Sequence, residues 1–216
     1  MFETRKIRLI MELRQHGISD QAVLSAIERV PRDAFIPKSF RDQAYENTAL
    51  PIGNGQTISQ PAVVGFMTQS LELGRRMKVL EIGTGCGYQA AVLARLCRRV
   101  YSIERFLELV KAADTRFQNL RINNVTTKWG DGYKGWPEQG LFDRVILTAA
   151  TPEVPSNLFD QMAPDSILIA PIGNTNGEQT LVKYFRKNGG GWNSEKLWDV
   201  RFVPLIEGKI SKNNFE

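Results

Sequence analysis

A glycine-rich loop follows the apolar segment that ends at Ile82. The loop runs from Glu81 to Gln89 and carries glycines at positions 83, 85 and 87, directly before a helical pattern. Glycine allows a tight turn and lets a ligand approach the main-chain N–H groups at a helix start. The dinucleotide fingerprint is G-x-G-x-x-G, whereas here the third glycine comes one residue early and Glu81 stands two residues before Gly83. This spacing favours S-adenosylmethionine over NAD, with a purely structural turn as the alternative.

Acidic residues also stand at the ends of the next two predicted strands. Glu104 lies 21 residues after Gly83, where an acid can accept hydrogen bonds from ribose hydroxyls; the alternative is an exposed charge before a helix. Asp131, between Gly130 and Gly132, could accept a hydrogen bond from an adenine amino group. Because an open parallel sheet binds ligands outside the carboxyl ends of its strands, these positions are expected to converge on one nucleoside.

Ser59 is a further candidate, at the end of a segment from 49 to 61 that glycine and proline punctuate. We expect this segment to be a loop that feeds a helix, with Ser59 or Gln60 as its cap and Pro61 in its first turn. A hydroxyl and neighbouring N–H groups at a helix start can orient an anion. The alternative for Ser59 is a plain helix cap.

The elements that would position these residues form an alternating pattern. Continuous apolar strands separated by helices indicate a parallel sheet that is buried on both faces. The predicted strands cover 78–82, 100–104, 125–127, 144–148 and 166–170, and the predicted helices cover 90–96, 106–120 and 155–162. The expected fold is therefore α/β and Rossmann-like, with a mostly parallel sheet and helices on both faces.

The two ends of the chain differ from this middle part. Residues 1–75 are expected to be helices and loops, and an apolar face is expected on the first helix at Ile7, Ile10 and Met11. Segments 179–186 and 192–204 alternate as strands do around a glycine-rich turn at 188–191, which predicts an antiparallel hairpin. We expect one domain over 1–216, with a helical part (1–75), a cofactor-binding core (76–172) and a hairpin with a tail (173–216).

Composition limits the class of protein. The chain of 216 residues has 28 Lys or Arg and 23 Asp or Glu, hence a formal charge of +5, and its mean hydropathy is −0.27. Disordered, collagen-like and coiled-coil chains are excluded. The basic residues are spread along the chain, no apolar run approaches the roughly 20 residues of a membrane span, and no secretory signal opens the sequence. We expect a cytoplasmic monomer without nucleic-acid or membrane partners.

Cysteine usage agrees with that location. Cys86 and Cys97 are too few for a disulfide framework and match no metal-ligand spacing. We expect two free thiols and no metal.

Several short motifs between about residues 20 and 206 recur in one known family. The most specific is the run Gln56-Thr57-Ile58-Ser59-Gln60-Pro61, and the others are Val30-Pro31-Arg32, Leu50–Gly53, Glu81–Gln89, Tyr101–Arg105, Gly130–Gly132, Thr148–Ala150 and Arg201–Leu205. In these motifs the chain resembles the protein-L-isoaspartate (D-aspartate) O-methyltransferases. Cys86 stands where that family often has serine.

The resemblance implies an S-adenosylmethionine-dependent methyltransferase that acts on the free carboxylate of isoaspartyl residues in damaged proteins and peptides. Ser59 falls on the family's active-site serine. The candidate cofactor or adjoining cleft residues are Thr57, Ile58, Glu81, Gly83, Gly85, Glu104, Asp131 and Gly132.

The implied chemistry needs no conventional base. A carboxylate with an unperturbed pKa of about 4 is already ionised at neutral pH, so the protein must supply placement and exclusion of water. Two alternatives remain open at the level of sequence. One is a methyltransferase for RNA or a small molecule, and the other is a binding module that keeps the cofactor fold without turnover.

Overall fold

The N-terminal part of the chain is mainly helical. The computed structural model describes residues 2–174, 177–188 and 190–210, and begins with helices α1 (Phe2–Gln15) and α2 (Gln21–Arg29). Short 3-10 turns follow at Arg32–Phe35 and Lys38–Gln43. No helix within the described ranges combines the length and the apolar character needed to cross a membrane.

The buried face of α1 differs from the expected one. Leu9 and Leu13 are buried, whereas Ile7 and Met11 are 53% and 61% exposed. Two apolar stripes on this helix both satisfy helical spacing, so periodicity alone cannot choose between them. The stripe with Leu9 and Leu13 faces the core because the helix lies against its neighbours on that side.

The segment predicted as a loop before Ser59 contains a small hairpin, so that prediction was wrong. Strand β1 (Leu50–Gly53) pairs antiparallel with β2 (Gln56–Ile58). Asn54 and Gly55 form the turn with φ of +52° and +67°, the left-handed conformation that Asn-Gly adopts in two-residue hairpins. The hairpin delivers Ser59 directly to the start of helix α3.

Seven strands form the central sheet, and its parallel part matches the predicted alternation. The strands are β3 (Lys78–Ile82), β4 (Arg99–Glu104), β5 (Val125–Trp129), β6 (Phe142–Leu147), β7 (Met162–Gly173), β8 (Gln179–Phe185) and β9 (Asn193–Val200). Their order is β5-β4-β3-β6-β7-β8-β9, with parallel pairing from β5 to β7 and antiparallel pairing from β7 to β9. Leu80 of β3 lies between Tyr101 and Val145 at the centre.

Helices cover both faces of this sheet, which confirms the Rossmann-like fold. They are α3 (Pro61–Ser70), α4 (Tyr88–Leu93), α5 (Leu107–Asn119) and α6 (Ser156–Phe159). One apolar cluster packs the N-terminal helices and α4 against the sheet, and a second lies around Leu80, Ile82 and Phe142. The helix predicted over 155–162 is shorter, because β7 begins at Met162 and pairs with strands on both sides.

The last described segment leaves the sheet. The second hairpin strand, predicted over 192–204, ends at Val200, and residues 201–210 form what we call the C-terminal strap. Isolated β-bridges join Pro204 to Ala150 and Ile210 to Phe106, so the strap crosses the carboxyl ends of β6 and β4. Residues 175–176, Gly189 of the predicted turn and the tail after 210 lie outside the described residues.

Candidate functional site

A cavity of about 140 Å³ lies at the carboxyl ends of the central strands. Strand β3 has β4 on one side and β6 on the other, so the chain order reverses at β3. Open α/β sheets bind their ligands in the crevice at such a reversal. The loop after β3 forms one wall of the cavity, and Val203–Ile206 of the strap form another.

The backbone conformation favours glycine at both Gly83 and Gly85, and at Gly83 the available space requires it as well. Gly83 and Gly85 have φ of +101° and +54°, and a Cβ atom on Gly83 would lie 2.3 Å from the Thr148 Oγ1 atom. Thr148 uses that hydroxyl to donate a hydrogen bond of 2.6 Å to the carbonyl oxygen of Gly83. The loop backbone is therefore held directly against the end of β6.

Glu104 lines the cavity, as predicted for a strand-end acid. Its two carboxylate oxygens accept hydrogen bonds from the N–H groups of Gly85 (2.8 Å) and Phe106 (3.0 Å). Burial raises the pKa of this carboxyl, and the backbone hydrogen bonds oppose that rise. Each carboxylate oxygen can accept a second hydrogen bond, so the fixed side chain can still receive ligand hydroxyls.

Glu81 lies behind the cavity wall rather than in it. It is fully buried and accepts a hydrogen bond from the Ser102 hydroxyl, which also hydrogen-bonds Thr84 Oγ1 at 2.6 Å. Because burial removes the charged form from water, the pKa of Glu81 is raised to about 8. Its contact with the glycine loop is therefore indirect, through two hydroxyl groups.

Asp131 and Gly132 occupy different places at the end of β5. Gly132 lines the cavity, and a Cβ atom there would lie 2.5 Å from Ile82 Cγ2. Asp131 stands beside the cavity, and its Oδ1 atom accepts a hydrogen bond of 3.0 Å from the N–H group of Tyr133. The aspartate thus fixes the short 3-10 turn that brings Gly132 to the cavity.

Ser59 does not act as the cap of α3. The N-cap position is Gln60, whose side chain makes no capping hydrogen bond, while Asn47 Oδ1 accepts one of 2.9 Å from the Ala62 N–H group. The prediction that Ser59 or Gln60 caps the helix is confirmed in position at Gln60, whereas the capping hydrogen bond comes from Asn47 of an earlier segment. Within the part of the chain that the structure describes, the Ser59 hydroxyl has no hydrogen-bond partner.

An open groove of about 1070 Å³ adjoins the cavity. Both are lined by the same five residues, which we call the junction: Thr57, Ser59, Thr148, Val203 and Pro204. A ligand in the cavity and a second molecule in the groove would therefore meet beside the Ser59 hydroxyl. Such an arrangement suits transfer of a group between two molecules.

Several lining residues were not identified as site residues from the sequence. Thr148 was noted only within a motif, although its place at the end of a parallel strand is a usable signal. Phe106 follows Glu104 closely and could be found in the same way. The contribution of the strap could not, because its position over β4 and β6 depends on pairing between distant segments.

Comparisons with known proteins agree with this geometry. The sequence model described as "Protein-L-isoaspartate(D-aspartate) O-methyltransferase (PCMT)" matches residues 4–210. Proteins named protein-L-isoaspartate O-methyltransferase from Paramagnetospirillum magneticum and Parvibaculum lavamentivorans are each 58% identical to the chain, over 95% of it and over 96% and 93% of their own lengths.

Solved structures give the same result. A protein-L-isoaspartate O-methyltransferase structure superposes with a TM-score of 0.83 at 30% identity, covering 92% of this chain and 65% of that longer one. A putative enzyme of this kind from Plasmodium falciparum, in complex with S-adenosyl-L-homocysteine, gives 0.81 at 27% identity, covering 92% and 97%. The chain therefore belongs to the protein-L-isoaspartate (D-aspartate) O-methyltransferase family.

Proposed function

We propose that this chain transfers a methyl group from S-adenosylmethionine to the free carboxylate of L-isoaspartyl and D-aspartyl residues in damaged proteins and peptides. The family membership supports this activity. The single structural observation that carries it is the junction, where a peptide-sized groove opens onto the cavity beside a serine hydroxyl that caps no helix.

The residues that line the cavity suit the cofactor in their chemistry. Glu104 offers fixed carboxylate oxygens for ribose hydroxyls, and Ile103, Phe106 and Leu205 offer apolar surface for a flat base. The cofactor, when bound, supplies an electrophilic methyl group on a sulfonium. We assign direct contact with it to Thr57, Ile58, Gly83, Gly85, Glu104 and Gly132. Asp131 would bind the adenine amino group from beside the cavity, and Glu81 would hold the glycine loop from behind.

In this proposal Ser59 orients the carboxylate that receives the methyl group. Its hydroxyl donates a hydrogen bond to one carboxylate oxygen, so that a lone pair of the other oxygen points at the methyl carbon. No base is needed because the carboxylate is ionised at neutral pH. Holding two reactants in line can lower a barrier by about 7 to 11 kcal/mol at most. The apolar strap residues Val203, Pro204 and Leu205 would keep water from competing.

The product ester accounts for repair without a further catalytic step. The backbone nitrogen of the following residue attacks the ester carbonyl, methanol leaves, and a succinimide ring forms. Water then opens the ring at either carbonyl, which returns part of the material to a normal aspartyl linkage.

A peptide assay tests the proposed activity. Methyl-labelled S-adenosylmethionine is supplied with an isoaspartyl peptide or with the same peptide containing normal aspartate, and base-labile label is measured as released methanol. We expect label only with the isoaspartyl peptide. Transfer to RNA or a small molecule instead, or cofactor binding without turnover on any acceptor, would contradict the proposal.

We further propose that the chain works as a single-domain monomer in the cytoplasm, on protein substrates and without a nucleic-acid or membrane partner. The spread of its basic residues and its two buried free cysteines, Cys86 and Cys97, support this. Light scattering of the purified chain at working concentration measures its molar mass, with and without added RNA. We expect the mass of a monomer in both cases.

A further inference from the structure

Two charged residues line the groove outside the junction, and both come from the C-terminal segment. Asp199 is the second-last residue of β9, and Arg201 is the first residue of the strap. The remaining groove residues are uncharged. The Cα atoms of Asp199 and Arg201 are two residues apart along the chain and are therefore separated by at most roughly 7 Å. The groove therefore presents one negative and one positive group side by side.

The two side chains differ in whether they already form a hydrogen bond within the protein. Asp199 Oδ1 accepts a hydrogen bond of 3.0 Å from the Thr180 hydroxyl on the neighbouring strand. Arg201 is exposed, and it makes no hydrogen bond or ion pair with any residue in the described ranges. A free guanidinium is a planar fork of donors that matches a carboxylate in two parallel hydrogen bonds.

Arg201 is not placed to act on the reacting carboxylate. It lines the groove but not the cavity, whereas the junction residues such as Ser59 and Thr148 line both. A carboxylate bound by Arg201 would thus belong to another part of the peptide. A peptide that reaches the junction with its isoaspartyl residue must leave through the groove, where the neighbouring side chains of the substrate lie.

We infer that Arg201 is a specificity-determining residue that binds an acidic side chain next to the isoaspartyl residue. This inference rests on the proposed function and adds the class of sequence that the enzyme prefers. Asp199 opposes binding of the same acidic side chain, but its hydrogen bond to Thr180 holds it in place on the strand. The preferred substrates are then isoaspartyl sites within acidic sequence.

Matched peptides and charge variants test the inference. Two sets of three isoaspartyl peptides differ only in the residue before or after the isoaspartyl position, which is Glu, Gln or Lys. Methyl transfer is measured at low ionic strength with the parent chain, Arg201→Gln, Arg201→Glu and Asp199→Asn. Arg95→Gln is the control, because Arg95 is an exposed arginine that lines neither cavity nor groove.

We expect the parent chain to prefer Glu over Lys about two- to fivefold in at least one set, the size of one exposed ion pair. The preference should appear in KM and leave kcat unchanged, because the contact is equally present before and during the reaction. Arg201→Gln should abolish the preference for Glu, Arg201→Glu should reverse it, and Asp199→Asn should strengthen it. Addition of 0.5 M salt should weaken the preference, because exposed charges are then screened within roughly 5 Å.

Equal KM values for Glu, Gln and Lys peptides in both sets with the parent chain would overturn the inference and leave the proposed function standing. So would an acidic preference that persists unchanged in Arg201→Gln. Failure to methylate any of the isoaspartyl peptides would instead overturn the proposed function, and the inference with it.

Discussion

At the scale of single residues, the free hydroxyl of Ser59 leads to a kinetic prediction. We expect Ser59→Ala to lower kcat about 10- to 100-fold, because a hydrogen bond to a charged group contributes roughly 1.5 to 3 kcal/mol. Cofactor affinity, measured by calorimetry, should change little. Ser39→Ala is the control, because Ser39 is an exposed serine that lines neither cavity nor groove. Full activity of Ser59→Ala on an isoaspartyl peptide would show that the hydroxyl does not orient the substrate.

The carboxylate of Asp131 leads to a prediction about cofactor affinity. Asp131→Ala removes both the proposed contact with the adenine amino group and the hydrogen bond to the Tyr133 N–H group, and should weaken cofactor binding by about 1 to 3 kcal/mol. Asp131→Asn keeps an oxygen that can accept either bond. Calorimetry should therefore give near-parent affinity for Asp131→Asn. Unchanged affinity in Asp131→Ala would mean that the adenine lies elsewhere.

At the scale of elements, the start of α3 depends on a residue from a distant segment. Asn47→Ala should lower the free energy of unfolding by about 0.5 to 2 kcal/mol, because the Ala62 N–H group loses its partner at the helix start. Gln60→Ala should have little effect, since the Gln60 side chain makes no capping bond. Urea unfolding of both variants measures the difference. Equal losses would contradict the assignment of the cap to Asn47.

Sequence patterns predicted the parallel strands well, because β3, β6 and β7 contain short apolar runs with turn residues on both sides. Strand β5 is mostly polar and half-buried, and its position in the alternation of strands and helices identified it. The patterns failed where the outcome depends on contacts between distant segments. Leu9 and Leu13 face the core only because other helices lie on that side, and Asn47 caps α3 from fifteen residues away. The acidic residue before the glycine loop illustrates the same limit. Spacing predicts that Glu81 lies near the cofactor site, but it does not determine whether the side chain lines the cavity or lies behind its wall.

At the scale of the whole molecule, Glu81 makes stability depend on pH. Its pKa is about 8 in the folded chain against an ordinary value of 4.5, so the folded state holds a proton that the unfolded state has lost between these values. Stability should therefore fall as pH rises from about 4.5 to about 8, with a contribution of at most about 1.4 kcal/mol per pH unit.

Glu81→Gln tests this dependence, because glutamine stays neutral at every pH. Urea unfolding between pH 5 and pH 8.5 should give a smaller slope for Glu81→Gln than for the parent chain. Some slope should remain, since burial also raises the pKa of Glu104. The exposed carboxyl variant Glu46→Gln is the control. If the free energy of unfolding of Glu81→Gln depends on pH as steeply as that of the parent chain, Glu81 is not protonated in the folded state.

The C-terminal strap has a consequence for the order of events in time. It is tied to β6 through hydrogen bonds between Ala150 and both Val203 and Leu205, and to the end of β4 through the Ile210–Arg105 bond. We expect spent cofactor beneath the strap to leave only after some of these hydrogen bonds open. We expect the first round of methylation to be faster than all later rounds. Rapid-quench measurements should then show a burst of ester. A linear time course from the first point would show that the strap does not slow the release of spent cofactor.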